Sequence, residues 1–173
     1  MKLPSTFANN KHIYALIETP AGSSAKYNFD EKTKLFRLKK ILPEGIVFPF
    51  HFGFIPHTKA EDGDPVDVLV LMDALSWPGC FMECKVLGVI EAEQTEDDKT
   101  ARNDRIIAAA IASRRYEEAN DLFSIDPYLV DEIINFLESY NRLEKKEFKV
   151  LGKQGSDKAI NLIKKQITDG NIK

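Results

Sequence analysis

The chain has 173 residues, 43% hydrophobic and 29% charged, enough to bury one core beneath a solvated surface and short for two domains. A net charge of −3 argues against a general nucleic-acid surface, which is normally basic. No apolar run approaches the roughly 20 residues that span a bilayer, and the first ten residues lack the pattern of a secretory signal, so a cytoplasmic protein is expected.

In chain order, short apolar stretches predict strands over 12–18, 25–29, 34–38, 65–72, 80–93 and 104–111. Turn residues punctuate them at Pro20 to Gly22, Pro43 to Gly45, Asp62 to Pro65 and Pro78 with Gly79. Cys80 and Cys84, four apart in one predicted strand, point to one face and are expected as reduced thiols. Asp126 then serves as an N-cap before Pro127, and Leu129, Val130, Ile133, Ile134 and Leu137 recur at helical spacing. A short strand is expected over 147–151. A second helix is expected from Ser156, with Ile160, Ile163 and Ile167 on one stripe and a stop near Gly170. No repeat or Gly/Ser linker divides the chain, so one domain over 1–173 is expected. Strands in bulk followed by helices indicate an α+β fold, a barrel or sandwich covered by helices.

The most informative stretch runs from Glu61 to Leu71. Asp62, Asp64 and Asp67 fall within six residues, where a turn leads into an apolar strand. Gly63 permits an unusual backbone angle and Pro65 stiffens the start of the strand. Clustered like charges are costly unless a cation neutralises them, and carboxylates with neither His nor Cys nearby suit Mg²⁺. Taken alone, the same pairs of turn residues also fit a surface hairpin.

The run from Asp62 to Val70 resembles the metal-binding motif of the soluble inorganic pyrophosphatases. Colinear matches extend along nearly the whole chain: Ile17 to Ala21, Ala25 to Tyr27, Phe48-Pro49, Phe52 to Ile55, Pro78-Gly79, Leu87 to Ile90 and Tyr140. The resemblance implies a small closed, OB-like β-barrel with two C-terminal helices, and Mg²⁺-dependent hydrolysis of pyrophosphate to two phosphates. It implies Asp62 and Asp67 as Mg²⁺ ligands, Asp64 as the group that orients or deprotonates water, and Glu18 as a holder of a further metal. Lys26, Lys40, Arg105 and Tyr140 would bind phosphate, with Lys26 and Arg105 also acting in catalysis. A homo-oligomer is implied as well.

Several positions depart from the family pattern. Lys40 replaces an arginine and loses its bidentate fork. Phe48 and Phe52 replace tyrosines and are expected in the core. Asn28 replaces an acidic residue, and Asn141 follows Tyr140 where a lysine is expected. The loop at 96–105 is longer than usual. Counting back from Arg105, in the place of the family's lysine, puts Asp98 and Asn103 on two metal-binding aspartates. A β-bulge there would aim Asp104 inward instead, so Asp104 is the expected ligand beside Asp62 and Asp67, with Asp98 completing an outer site and Asn103 the alternative. The altered phosphate contacts leave two other readings, a hydrolase of another phosphoanhydride and an anion-binding protein with little turnover.

Overall fold

Val68, Leu69, Val70 and Leu71 are all buried, and so is every residue from Ile106 to Ala110. A strand apolar on both sides needs cover on both sides, and the topology supplies it. The structure, a computed structural model, describes residues 3–168. Its strands are β1 (His12–Thr19), β2 (Ala25–Asp30), β3 (Leu35–Ile41), β4 (His51–Phe54), β5 (Asp67–Leu71), β6 (Phe81–Glu96), β7 (Lys99–Arg102), β8 (Arg105–Ala110) and β9 (Glu147–Gly155). The helices are α1 (Pro127–Leu143) and α2 (Ser156–Lys165), with one 3₁₀ turn at Leu122–Ser124.

Pairing runs β1–β4–β5–β8–β6, and β1 also pairs with β6, so these five strands close a ring. All these pairs are antiparallel except β5–β8. The long β6 runs beyond the ring, where β7 and β9 flank it, and β2 with β3 forms a separate hairpin. Alternation sorts the core into two clusters. Ile13, Ala15, Ile17, Val68, Val70, Ile106 and Ala108 pack with Ile160 and Ile163 of α2. Leu69, Leu71, Leu87, Ile107 and Ala109 pack with Ile133, Leu137 and Tyr140 of α1. This is the small OB-like barrel with two C-terminal helices that the resemblance implied.

Asp126 caps α1 as the sequence indicates, accepting from the Tyr128 N–H at 3.0 Å with Pro127 at the first turn. Three expectations change. β4 and β7 are additional strands. β9 extends to Gly155 rather than ending at 151. α2 ends at Lys165, so Ile167 leaves the helical stripe and bridges Thr58 instead; Gly170 lies outside the described residues.

β1 and β4 approach closely at Gly53, where an added Cβ would sit 2.1 Å from the Leu16 carbonyl oxygen. Backbone cannot yield as a side-chain tip can, so Gly53→Ala is expected to cost about 3 kcal/mol. Urea unfolding checks this; an unchanged midpoint would contradict the approach of the two strands.

Candidate active site

Local hydrogen bonds fix the acidic turn. Thr58 Oγ1 donates to the Ile55 carbonyl at 2.6 Å and accepts from the Val66 N–H at 2.9 Å, bracketing the loop. The Ala60 N–H donates to the Asp64 carbonyl at 2.7 Å, and Gly63 takes φ +92° at the tip. Asp62 Oδ1 accepts from the Asp64 N–H at 3.1 Å. Burial raises the Asp62 pKa, opposed by that hydrogen bond, with the charges of Asp64 and Asp67 adding to the rise. Asp67 opens β5, and the parallel register that sets Val68 beside Ile106 brings Arg105 of β8 next to it. Arg105 Nη1 donates to Asp67 Oδ2 at 2.8 Å.

Glu18 is 8% exposed and accepts from the Phe29 N–H at 2.6 Å. Burial, with help from the Asp67 charge, pushes its pKa up to about 7 against the effect of that bond. Glu18, Asn28, Glu31, Asp64 and Asp67 line one cleft of about 320 Å³. Asn28 Oδ1 is buried with no partner among the described residues. Four carboxylates and an orphaned amide oxygen fit a hard divalent cation in kind. Among the described residues no three His, Cys, Asp or Glu side chains stand close enough to hold an ion by themselves, so water would complete its shell.

A cationic group of side chains adjoins this cleft. Lys26 Nζ lies 5.0 Å from the Phe52 ring centroid and 5.2 Å from that of Tyr140, and Lys40 Nζ lies 4.9 Å from Tyr140. Lys40 also pairs with Glu144, at the C-terminal cap of α1. Burial chiefly, opposed by the Asp67 charge and helped by Lys39, Lys40 and Arg105, lowers the Lys26 pKa to about 8. Burial and the Glu144 charge raise that of Tyr140. Tyr140 OH and Arg105 Nε are buried and without partners among the described residues. Two unpaired donors amid ammonium groups are what an anion with several oxygens would satisfy. Phe48 and Phe52 lie in the core as expected, with Phe48 packed on Phe136 and Tyr140 at 5.4 and 5.2 Å.

Asp104 and Asp98 are not where the sequence placed them. Glu93 opposite Arg102 and Ile90 opposite Arg105 share one register, so no bulge lies between them; the irregularity in this strand pair is at Leu87. Asn103 therefore shares the face of Arg105. Asp104 turns to the other face and accepts from Arg102 Nε at 2.7 Å and the Ala92 N–H at 2.9 Å. It lines a different groove with Lys59, Glu61 and Lys158. Asp98 occupies an exposed hairpin tip at φ +59°, seven positions and roughly 23 Å of strand from Arg105. Besides Arg105, the side chain that meets Asn103 is Gln94, at 3.1 Å. Counting forward along the strand from Gly88, with the extra residues assigned to the hairpin tip, would have found it. Asn141 donates to the Leu137 carbonyl at 2.8 Å and is buried, while Arg142 is exposed.

The sequence model of the family described as inorganic pyrophosphatase matches residues 15–171. The chain belongs to this family. It is 36% identical to the inorganic pyrophosphatase of a Synechocystis strain over 87% of each chain. It is 38% identical to the soluble inorganic pyrophosphatase of rice, over 86% of this chain and 68% of that one. Among solved structures, the inorganic pyrophosphatase of Thermus thermophilus superposes with a TM-score of 0.87 at 30% identity, covering 96% of this chain and 95% of that one. The Coxiella burnetii pyrophosphatase gives 0.85 at 31% identity, over 95% and 98%. Enzymes of this family are metal-dependent hydrolases of the phosphoanhydride bond.

The depressed Lys26 pKa yields a prediction with a definite sign. Between about pH 8 and the ordinary lysine value near 10.4, the unfolded chain holds this proton and the folded chain does not. Stability contributed at this position therefore rises with pH across that window. Thermal melts of the native protein against Lys26→Met should show this rise only in the native protein. Binding of inorganic phosphate without metal should weaken over the same window, in which phosphate itself stays a dianion; a flat affinity would contradict the assignment.

Proposed function

We propose that the protein is a Mg²⁺-dependent inorganic pyrophosphatase of the cytoplasm, converting pyrophosphate to two phosphates. The observation that carries this reading is the junction of two opposite chemistries. An all-oxygen cleft formed by Glu18, Asn28, Asp64 and Asp67 abuts a cationic group with unpaired donors at Tyr140 and Arg105. Pyrophosphate resists hydrolysis because its anionic oxygens repel nucleophiles. Asp62, Asp67 and Glu18, with water completing the shell, would hold Mg²⁺, which when bound would screen that charge and acidify water.

The remaining work falls to this chain's own side chains. Asp64 orients the attacking water and takes its proton. Lys26, Lys40 and Arg105 hold the phosphate oxygens, and Tyr140 donates to the departing phosphate. As the new P–O bond forms, the bridging bond breaks and its electron pair leaves with the second phosphate, where cationic donors stabilise the growing charge. In the free protein Lys40 is held by Glu144; substrate must compete for it. The same reading extends to a homo-oligomer, in support of which Leu75, Trp77 and Phe81 are 84%, 66% and 57% exposed.

Phosphate release from pyrophosphate, ATP and polyphosphate, with and without Mg²⁺, tests the function. Release from pyrophosphate alone and only with Mg²⁺ is expected; none from any substrate would overturn the reading. Asp67→Asn should lower activity on the order of a hundredfold. Asp67→Ala should in addition lower the melting temperature without metal, since it strips Arg105, 6% exposed, of its counter-ion. A variant at Asp67 with near-normal turnover would remove the metal assignment.

A further inference from the structure

Arginine has five N–H donors and no acceptor, and this one-sidedness sets the polarity of a hydrogen-bonded chain at the edge of the cleft. Arg105 Nη1 donates to Asp67 Oδ2 and also to Asn103 Oδ1. Because a guanidinium only donates, Asn103 must present its oxygen to it, which leaves the amide nitrogen on the far side. That nitrogen donates to Gln94 Oε1 at 3.1 Å, so Gln94 must present its own oxygen. Donation thus runs outward from Arg105, to Asp67 on one side and through Asn103 to Gln94 on the other, whichever way each amide is drawn. Asn103 is 8% exposed and Arg105 6%, so an amide turned the other way would bury N–H against N–H with little water to relieve it. Phe148 closes another side, with its ring centroid 5.5 Å from Arg105 Cζ.

We propose that Gln94 and Asn103 are positioning residues. Their coupled amides fix the Arg105 guanidinium against Asp67 and leave Nε free for a phosphate oxygen. The inference rests on the phosphoanhydride reading of the site and deepens it. It also gives Asn103 a different role from that of cation ligand, because its side-chain oxygen is already engaged by a cation. Gln94 carries no charge and, among the described residues, makes its hydrogen bond to Asn103 rather than to Arg105. Its whole effect therefore runs through the orientation of Asn103.

That indirectness makes the proposal testable by a double-mutant cycle on the protein without metal. Inorganic phosphate is titrated against the native protein, Gln94→Leu, Asn103→Ala and the double variant; Asn103→Ser replaces Asn103→Ala if the latter does not fold. Each single variant should bind phosphate about tenfold more weakly, the loss of roughly one charge-assisted hydrogen bond. The double variant should be no weaker than Asn103→Ala alone. Gln94→Glu, which still offers an oxygen to Asn103, should recover most of the affinity. The Arg105 guanidinium ¹⁵N resonances, assigned by their loss in Arg105→Lys, should sharpen to slow rotation in the native protein and average in both single variants. Mn²⁺ affinity by equilibrium dialysis should stay within about twofold throughout. Additive losses, unchanged phosphate binding, or a fall in Mn²⁺ affinity in Asn103→Ala would each overturn the proposal, the last by making Asn103 a cation ligand. A native protein that binds phosphate and orders Arg105 as described but does not hydrolyse pyrophosphate would sink the functional reading and leave this inference standing.

Discussion

The contact between Arg105 and Asp67 is the constraint on which the rest of the site depends. A guanidinium 6% exposed inside a β-barrel needs a partner, because an unpaired buried charge costs several kcal/mol. The partner comes from the only parallel strand pair in the ring. A parallel register sets Val68 against Ile106 and so carries Asp67 and Arg105 forward together at the same end of β5 and β8. A slip of one residue toward the end of β5 would carry Asp67 into the fully buried place of Val68. Burial of Val68 and Val70 on one side and of Leu69 and Leu71 on the other thus fixes the register, and the register fixes the ion pair.

From that pair the charges divide by strand alternation. Asn103 and Arg105 face the cleft, whereas Arg102 and Asp104 face the opposite groove, where Arg102 reaches Glu91 at 3.2 Å as well as Asp104. The Asp104 carboxylate also accepts the Ala92 N–H in the gap between the β6–β8 and β6–β7 pairings, so it satisfies a donor the strand would otherwise leave open. An aspartate that looked like a metal ligand in the sequence is thereby committed to holding two strands and an arginine. Its charge would have to leave both to serve the cleft.

Much of this was legible beforehand, for stated reasons. Seven strands and both helices followed from alternation, helical spacing and turn residues, and α1 could be placed from Asp126-Pro127 alone. β4 could not, because His51 to Phe54 are all buried and so lack a period of two, and Gly53 reads as a break. β7 could not either, since Lys99 to Arg102 has no apolar face and owes its conformation to the hairpin turn at Asp97 and Asp98, both at positive φ. The acidic turn and the Lys26 to Tyr140 group were visible as motifs, whereas their neighbours were not. Gln94 and Glu144 are ordinary surface residue types in a sequence, and only the fold shows that one meets Asn103 and the other Lys40.

The departures from the family pattern make better sense together than singly. Asn28 and Asn103 are amides at places where the resemblance implies carboxylates, and Gln94 supplies the amide beside Asn103. Asn28 and Asn103 each lower the negative charge near Asp67 and keep one acceptor oxygen. With fewer carboxylates to neutralise, the site needs fewer mobile cations, and the fixed guanidinium of Arg105 supplies part of that charge at no cost in binding entropy. On the anion side the Phe52 ring lies beneath Lys26, at 5.0 Å, and offsets some of the cost of burying that ammonium. Arg105 keeps the positive charge that the resemblance implies there as lysine, so the substitutions thin the carboxylates around Asp67 and leave that fixed charge in the fold. On the proposed reading, such a site gives up some electrostatic strength for an arrangement that is already ordered before substrate and metal arrive.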